Sequence, residues 1–200
     1  MANGKTVILA AGDFPKKGGA ARKLLAAATR VVACDSAADA YRRAFRKWPD
    51  VIIGDMDSFS ATSCCRTLVV SPDQNTNDLE KAMAYCAARG WRNPVIVGAT
   101  GKREDHTLGN VFRALAYGCT IVTDLGRFIP VRGKATLKVR EGAAVSIFAP
   151  DPKTRMTSRG LEWPLDDVRF KNLYCATLNR ATAAKVALTA THPVTVYIAS

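Results

Sequence analysis

The chain has no apolar run approaching the roughly 18 residues a membrane-spanning helix needs. Its first apolar stretch, Val7-Ile8-Leu9-Ala10-Ala11, stops before Asp13 and is too short for a secretory core. Neither a membrane partner nor a leader is therefore expected, and a cytoplasmic location is. Cysteine is present but unorganised: Cys34, Cys64, Cys65, Cys86, Cys119 and Cys175 form no Cys-x-x-Cys pair, and the chain has only two histidines. A zinc site and a disulfide framework are thus not indicated, and the thiols read as reduced core residues. Repeats and low-complexity tracts are also missing.

Acidic charge is the scarcer sign. Against 17 Asp and Glu stand 29 Lys and Arg, giving a formal charge of +12 and a pI near 9.7, which favours anionic partners. The basic runs Lys16-Lys17, Arg22-Lys23, Arg42-Arg43 and Arg46-Lys47 read as solvated helix faces, because a platform for single strands requires rings free to stack on bases. Acidic loops elsewhere interrupt any continuous phosphate-binding stripe, so nucleic acid is not expected as a partner.

With 200 residues and 48% hydrophobic composition, the chain can bury one large core or two small ones. To about residue 125, apolar strands alternate with helical patterns, which predicts a parallel sheet flanked by helices. Strands are expected at Thr6 to Ala10, Val31 to Cys34, Val51 to Ile53, Thr67 to Val70, Val95 to Val97 and Ile121 to Val122. Leu79, Met83, Cys86 and Ala87 share one helical face, and so do Leu108, Val111, Phe112 and Leu115. After Asp124 the period falls to two, in Thr136 to Val139, Ala143 to Ala149, Leu173 to Thr177, Ala184 to Thr189 and Val194 to Ala199. That pattern predicts an antiparallel sandwich or barrel, with Val194, Val196 and Ile198 on one face and Thr195 and Tyr197 on the other. The fold class expected is therefore α/β: an N-terminal parallel-sheet domain over residues 1–125, then an antiparallel β-sandwich or barrel over 126–200.

Polar and glycine-containing loops follow nearly every strand of the first half: Gly12-Asp13, Asp35, Asp55, Ser71-Pro72-Asp73, Gly98 to Gly101 and Asp124. In an open parallel sheet the ligand crevice lies outside the carboxyl ends of the strands, so one cleft can collect all of them. In Gly54-Asp55-Met56-Asp57-Ser58 the two carboxylates point the same way if the chain stays extended. Convergent carboxylates repel unless a cation or a shared proton lies between them. Oxygen-only ligands beside glycine suit magnesium and a nucleotide better than zinc. Turn-forming and helix-capping aspartates are the alternative.

The order and spacing of several blocks resemble the thiamine pyrophosphokinase (thiamine diphosphokinase) family. They are Gly12-Asp13-Phe14-Pro15; Asp35; Pro49-Asp50-Val51-Ile52-Ile53-Gly54-Asp55-Met56-Asp57-Ser58; Asp73-Gln74 with Asp78 and Lys81; Gly98-Ala99-Thr100-Gly101 with Arg103, Asp105, His106, Leu108 and Asn110; and Gly160-Leu161-Glu162-Trp163 with Asn179. The resemblance spans nearly the whole chain. It departs at Asn77, where the family usually has Thr, at Leu178, where it has Ser before Asn, and at Lys102, where it has Gly.

The resemblance implies that the antiparallel half is a β-sandwich, and it implies transfer of a diphosphoryl group from ATP to the hydroxyl of thiamine, with release of AMP, a Mg²⁺ requirement and a homodimer with shared active sites. It places Asp55, Asp57 and Asp78 at the metal and hydroxyl centre, with Asp57 or Asp78 accepting the proton. Asp35, Gly98, Thr100, Gly101, Arg103, Asp105, His106 and Asn110 would hold the nucleotide. Gln74, Trp163, Thr177 and Asn179 would hold thiamine, with Trp163 stacked on its cationic rings and Thr177 replacing the lost hydroxyl. Without the resemblance, Arg103 reads as a surface ion pair, His106 as a structural histidine, Trp163 as core and Lys81 as a solvated helix residue. A different magnesium-dependent phosphotransferase or nucleotidyltransferase is the competing enzyme, and a basic nucleic-acid or nucleotide-binding module the competing non-enzyme.

Overall fold

The computed structural model describes residues 5–54, 67–70 and 76–200. By internal contacts the chain divides into two units, residues 1–113 with 121–124, and residues 114–120 with 125–200.

In the first unit, β-branched and aliphatic runs form short, fully buried strands: β1 (Thr6–Leu9), β2 (Arg30–Cys34), β3 (Val51–Gly54) and β5 (Val95–Val97), with β4 (Thr67–Val70) at an edge and β6 (Thr120–Val122) beyond β5. The strand order is β6-β5-β1-β2-β3-β4, and the β1 to β5 pairings are all parallel. Alternation along β1 supplies both faces. Val7 and Leu9 join Ala21 and Leu25 of α1 (Ala20–Ala26) and Ala37, Ala38 and Tyr41 of α2 (Ala37–Phe45) in one core. On the other face lies α3 (Asp78–Ala88), whose Leu79, Ala82, Met83 and Cys86 are buried. Asn77 starts α3 by accepting the Glu80 N–H at 2.9 Å through its side chain, which satisfies one of the helix's unpaired donors. α4 (Glu104–Tyr117) follows β5. The chain runs from β1 outward through β2, β3 and β4, then returns to place β5 on the opposite side of β1. The strand order therefore reverses between β1 and β5.

In the second unit, β7 (Gly126–Lys138) pairs with β12 (Lys185–Ala199) over almost its full length. The first half of β12 also pairs with β9 (Arg155–Arg159), and its second half with β8 (Ala144–Phe148). β8 carries β11 (Ala176–Arg180), and β9 carries β10 (Val168–Arg169). All these pairings are antiparallel around one core that includes Val145, Ile147, Phe170, Val186, Leu188, Val196 and Ile198. The α/β class with an antiparallel C-terminal half is thus what the chain adopts.

The parallel strands fall within a residue of their predicted places, and Leu79, Met83 and Cys86 lie on a helix as their spacing predicts. The antiparallel half differs more. β7 extends through Pro130 and Gly133, which read as breakers; Pro130 occupies the register position opposite Thr195 and Gly133 takes a φ of 69°. Lys185–Ala199 is one strand rather than two, because a register shift between Ala190 and Val194 absorbs Pro193. β9 and β10 were not expected, since Arg155-Met156-Thr157-Ser158-Arg159 buries only Met156 fully. β11 starts three residues later than predicted. Thr195, on the face opposite Val194, Val196 and Ile198, is itself only 2% exposed. Cys34, Cys86 and Cys119 are buried free thiols as expected, whereas Cys175 is exposed.

The basic runs are exposed as expected, apart from the half-buried Arg22, and two of their arginines also cover rings. Arg22 lies 4.7 Å from the Phe14 ring centre and 4.3 Å from that of Phe45, and Arg42 lies 4.5 Å from that of Trp48. Rings covered by arginine in this way are not open for stacking.

Gly160, with φ 83°, sits where an added Cβ would lie 2.4 Å from the Lys185 carbonyl oxygen. Gly160→Ala is expected to lower stability by about 1–3 kcal/mol from backbone strain alone, read by urea unfolding; an unchanged midpoint would show that the turn relaxes without cost.

Candidate active site

A cavity of about 260 Å³ opens at the carboxyl ends of the parallel strands, lined by Ala10, Ala11 and Gly12 after β1, Cys34 of β2, Asn77, Asp78 and Leu79 at the start of α3, and Ala99, Gly101, Lys102, Arg103, His106 and Asn110 after β5. This is the point where the strand order reverses, the position at which open α/β sheets bind ligands.

Two backbone bonds join the loops after β1 and β5. Gly12 N–H donates to the Gly98 carbonyl at 2.7 Å and Asp13 N–H to the Thr100 carbonyl at 2.8 Å. A Cβ on residue 12 would stand 2.5 Å from both the Gly98 and Thr100 oxygens, so the crossing demands glycine there. Gly101 has φ 79°, and a Cβ there would lie 2.1 Å from Asp13 Oδ2. Lys102 Nζ then donates to the Ala11 carbonyl at 2.7 Å. Asn110, 9% exposed, reaches back from α4 to donate to the Ala99 carbonyl at 2.9 Å and accepts from Asn77 Nδ2 at 3.3 Å. One amide thus ties the β5 loop, α4 and the N-cap of α3 together. The Asn77 departure is built into the scaffold.

The starts of α3 and α4 both border the cavity, and unpaired N–H groups at a helix start favour anions. Asp78 places a carboxylate in the wall. Lys81 pairs with it at 3.3 Å, and the Lys81 side chain is only 9% exposed, so Lys81 packs behind the carboxylate rather than being a solvated residue. Asp35, after β2, has φ 39°. Its Oδ1 is buried and has no hydrogen-bond partner, and the side chain lies against Gly54, where a Cβ would come within 3.0 Å of the Asp35 Cβ. An orphan carboxylate oxygen is costly unless a donor or cation reaches it.

Cys34 is the cavity residue that sequence reasoning passed over. Burial drives its thiol pKa far up, and the nearby Asp78 carboxylate adds to that. The group stays a neutral thiol, so it contributes shape and no nucleophile. Its signal was weak, since a cysteine ending an apolar strand looks like any core residue.

Arg103 forms a two-pronged pair with Asp105, Nε to Oδ1 at 3.1 Å and an Nη to Oδ2 at 2.6 Å, with both side chains largely exposed. The Arg103 hydrogen bonds and the His106 backbone N–H hold the Asp105 pKa down to about 2. Arg103 is therefore presented at the cavity with its fork filled, and an anion must displace Asp105 to receive a bidentate grip. His106 is exposed at the rim, four residues before the buried Asn110.

The structure gathers Asp78, Gly101, Arg103, His106 and Asn110 at this cavity, with Gly98 and Thr100 in the loop that shapes it. Asp55, Asp57 and Gln74 lie outside the described residues. Among the described residues no three His, Cys, Asp or Glu side chains form a metal-binding group.

Trp163 and Asn179 meet in the second unit. Asn179, 5% exposed, accepts the Trp163 N–H at 3.2 Å and donates to the Trp163 carbonyl at 2.7 Å. The ring is 57% exposed, so Trp163 is not a core residue. Thr177 spends its hydroxyl on the Tyr174 carbonyl at 3.3 Å. Leu178 sits within the register irregularity of β11 at φ 64° and is 86% exposed.

Residues 21–122 match the model of the thiamin pyrophosphokinase catalytic domain, and residues 126–197 that of the thiamin pyrophosphokinase substrate-binding domain. The chain belongs to the thiamin pyrophosphokinase family. Thiamin pyrophosphokinase 1 of Caenorhabditis elegans is 32% identical over 78 residues, which cover 35% of this chain and 32% of that protein. The chain thus spans about a third of the length of that curated relative. The fold is similar to that of a thiamin pyrophosphokinase family protein from Enterococcus faecalis (TM-score 0.81, 16% identity, 98% of this chain and 99% of that one). It is also similar to thiamin pyrophosphokinase from Candida albicans (TM-score 0.77, 12% identity, 100% and 94%). No helix among the described residues is long and apolar enough to cross a membrane.

The Asp105 carboxyl is expected to titrate near 2 by carbonyl NMR, and Arg103→Ala to return it toward the ordinary carboxylate value. Because the folded-state pKa is depressed, whatever stability the pair adds is present above the unfolded value and is lost as pH falls toward 2. An Asp105 titration unmoved by Arg103→Ala would mean that the pair does not persist in solution.

Proposed function

We propose that the protein is a thiamine diphosphokinase that transfers the diphosphoryl group of ATP to the hydroxyl of thiamine and releases AMP. The observation that carries this reading is the anion-receptive cavity at the strand-order reversal, bordered by two helix starts and by Lys102, Arg103 and Asp78, in a chain that matches the family over both halves. In this reading residues 1–125 hold ATP and residues 126–200 hold thiamine.

The chemistry asks for charge neutralisation on phosphate and accurate placement of a weakly acidic alcohol. The loop from Gly98 to Gly101 brings backbone close to phosphate, and Arg103, released from Asp105, grips it. His106 and Asn110 border the nucleotide, and Asp35 lies at the next strand end. Asp78, or Asp57, takes the proton from the hydroxyl of thiamine, whose cationic rings stack on the exposed face of Trp163. Asn179 is a positioning residue that fixes the Trp163 backbone, and Gln74 and Thr177 complete the thiamine set.

The donors fit Mg²⁺: Asp78 offers carboxylate oxygen at the cavity, Asp55 and Asp57 follow β3 in sequence, and Asp35 has a buried oxygen without a partner. Bound by Asp55, Asp57 and Asp78, the ion would supply charge neutralisation on the phosphates. A homodimer with shared sites is part of the proposal, since the two ligand sets lie in different units.

With ATP, Mg²⁺ and thiamine, the purified protein is expected to form AMP in a thiamine-dependent way, and chelation to abolish it. Thiamine-dependent ADP, or pyrophosphate release, would point instead to a different phosphotransferase. Asp78→Asn is expected to lower turnover about a hundredfold or more, the scale of losing a positioned acid–base or electrostatic group, with circular dichroism unchanged; near-normal turnover would remove Asp78 from the site.

A further inference from the structure

Basic charge is concentrated in the second half of the chain. Residues 125–200 hold twelve Lys and Arg but five Asp and Glu, and three of those five are already paired: Asp167 with Arg155, Glu162 with Arg180, and Asp151 with His192. Strand alternation then puts four of the cations, Lys134, Lys138, Arg159 and Lys185, on one surface. Along β12, Val186, Leu188 and Ala190 are buried in the core, so Lys185, Ala187 and Thr189 face away from it. Register places Lys138 beside Lys185, Thr136 beside Ala187 and Lys134 beside Thr189 on β7, and Arg159 beside Ala187 and Thr157 beside Thr189 on β9. None of these outward strand positions is acidic.

A cavity of about 760 Å³ lies on this surface, lined by Lys134 of β7, Ala187 and Thr189 of β12, Thr157 and Arg159 of β9, and by Pro164 and Leu165. Its volume falls in the range of small-molecule sites. One row across the three strands reads Lys134, Thr189, Thr157, a cation followed by two hydroxyls. The adjacent row ends in Arg159. Two strand spacings separate β7 from β9, about 10 Å, so the two cations stand at opposite sides of a space wider than one phosphate. Neither has a carboxylate partner among the described residues, and Asp166 is the single acidic residue in the lining.

We propose that this trough is a second anion site, separate from the nucleotide cavity, which takes a small molecule bearing a diphosphate. Lys134 and Arg159 receive the two phosphate groups, the hydroxyls of Thr157 and Thr189 donate between them, and Pro164 with Leu165 offers an apolar wall to the organic part. Exposed cations without a carboxylate partner are free to form charge-assisted bonds to phosphate.

The test is residue-resolved and independent of thiamine turnover. The intact protein, labelled at threonine methyls, is titrated with inorganic pyrophosphate while the Thr157 and Thr189 signals are followed by NMR. Saturable shifts of both are expected, with half-saturation at least about tenfold below that for inorganic phosphate, the scale of one added charge-assisted contact. The double variant Lys134→Ser with Arg159→Ser is expected to lose those shifts while signals from the nucleotide cavity still respond. Three results would overturn the proposal: no saturable shift by about 10 mM, a concentration weaker than any specific site; identical shifts with sodium chloride at matched ionic strength; or sedimentation showing that the double variant has lost a dimer that the parent forms, which would make this face a contact between copies.

Discussion

Everything at the cavity after β1 and β5 depends on the crossing of two strand-end loops at Gly12. The Gly12 and Asp13 N–H groups bond to the Gly98 and Thr100 carbonyls, and no side chain larger than hydrogen fits between them. That crossing fixes where Gly101, Lys102 and Arg103 emerge, and so where phosphate would meet cations and helix starts. Asn110 and Lys102 secure the same loops from the other side through the Ala99 and Ala11 carbonyls. The cavity is therefore set by backbone, with side chains as braces. Backbone determined in this way costs no reorganisation when an anion binds, which is the condition for electrostatic stabilisation to be effective.

The parallel half was legible because its inner strands are short, largely buried and rich in β-branched residues, and because helical spacing of Leu79, Met83 and Cys86 marks the face that covers them. The carboxyl-end rule then points to the cavity from the sequence alone. What could not be read was pairwise engagement. Arg103 carries a phosphate-binding group and a partner at Asp105 in the same three residues, and only geometry shows the fork filled. Lys81 looks like any exposed helix lysine until its pairing with Asp78 buries it. Cys34 ends an apolar strand, and nothing in its type distinguishes a cavity wall from core.

The antiparallel half was harder for a different reason. Its strands are half-buried, so basic residues occupy outward positions of β7 and, with Pro130 and Gly133 in the same strand, imitate loop composition. β9 buries only Met156 fully, and its period of two is hidden by threonine and serine. The site around Trp163 shows the same effect. A tryptophan in a sandwich reads as core, yet Asn179 grips its backbone on both sides and leaves the ring exposed, while Leu178 beside it holds a left-handed conformation that is unusual for a bulky residue. An exposed tryptophan and leucine flanking a buried asparagine form a surface made for contact, and the family resemblance named Trp163 and Asn179 without giving this arrangement.

The most direct measurement of whether the loop crossing builds the nucleotide site is ATP affinity in Gly12→Ala, set against Gly18→Ala, where φ is 83° but an added Cβ has nothing within 4 Å. The account predicts that Gly12→Ala, folded by circular dichroism, binds ATP at least about tenfold more weakly, equivalent to roughly 1.4 kcal/mol, and that Gly18→Ala binds as the parent does. A folded Gly12→Ala that keeps parental ATP affinity would contradict it.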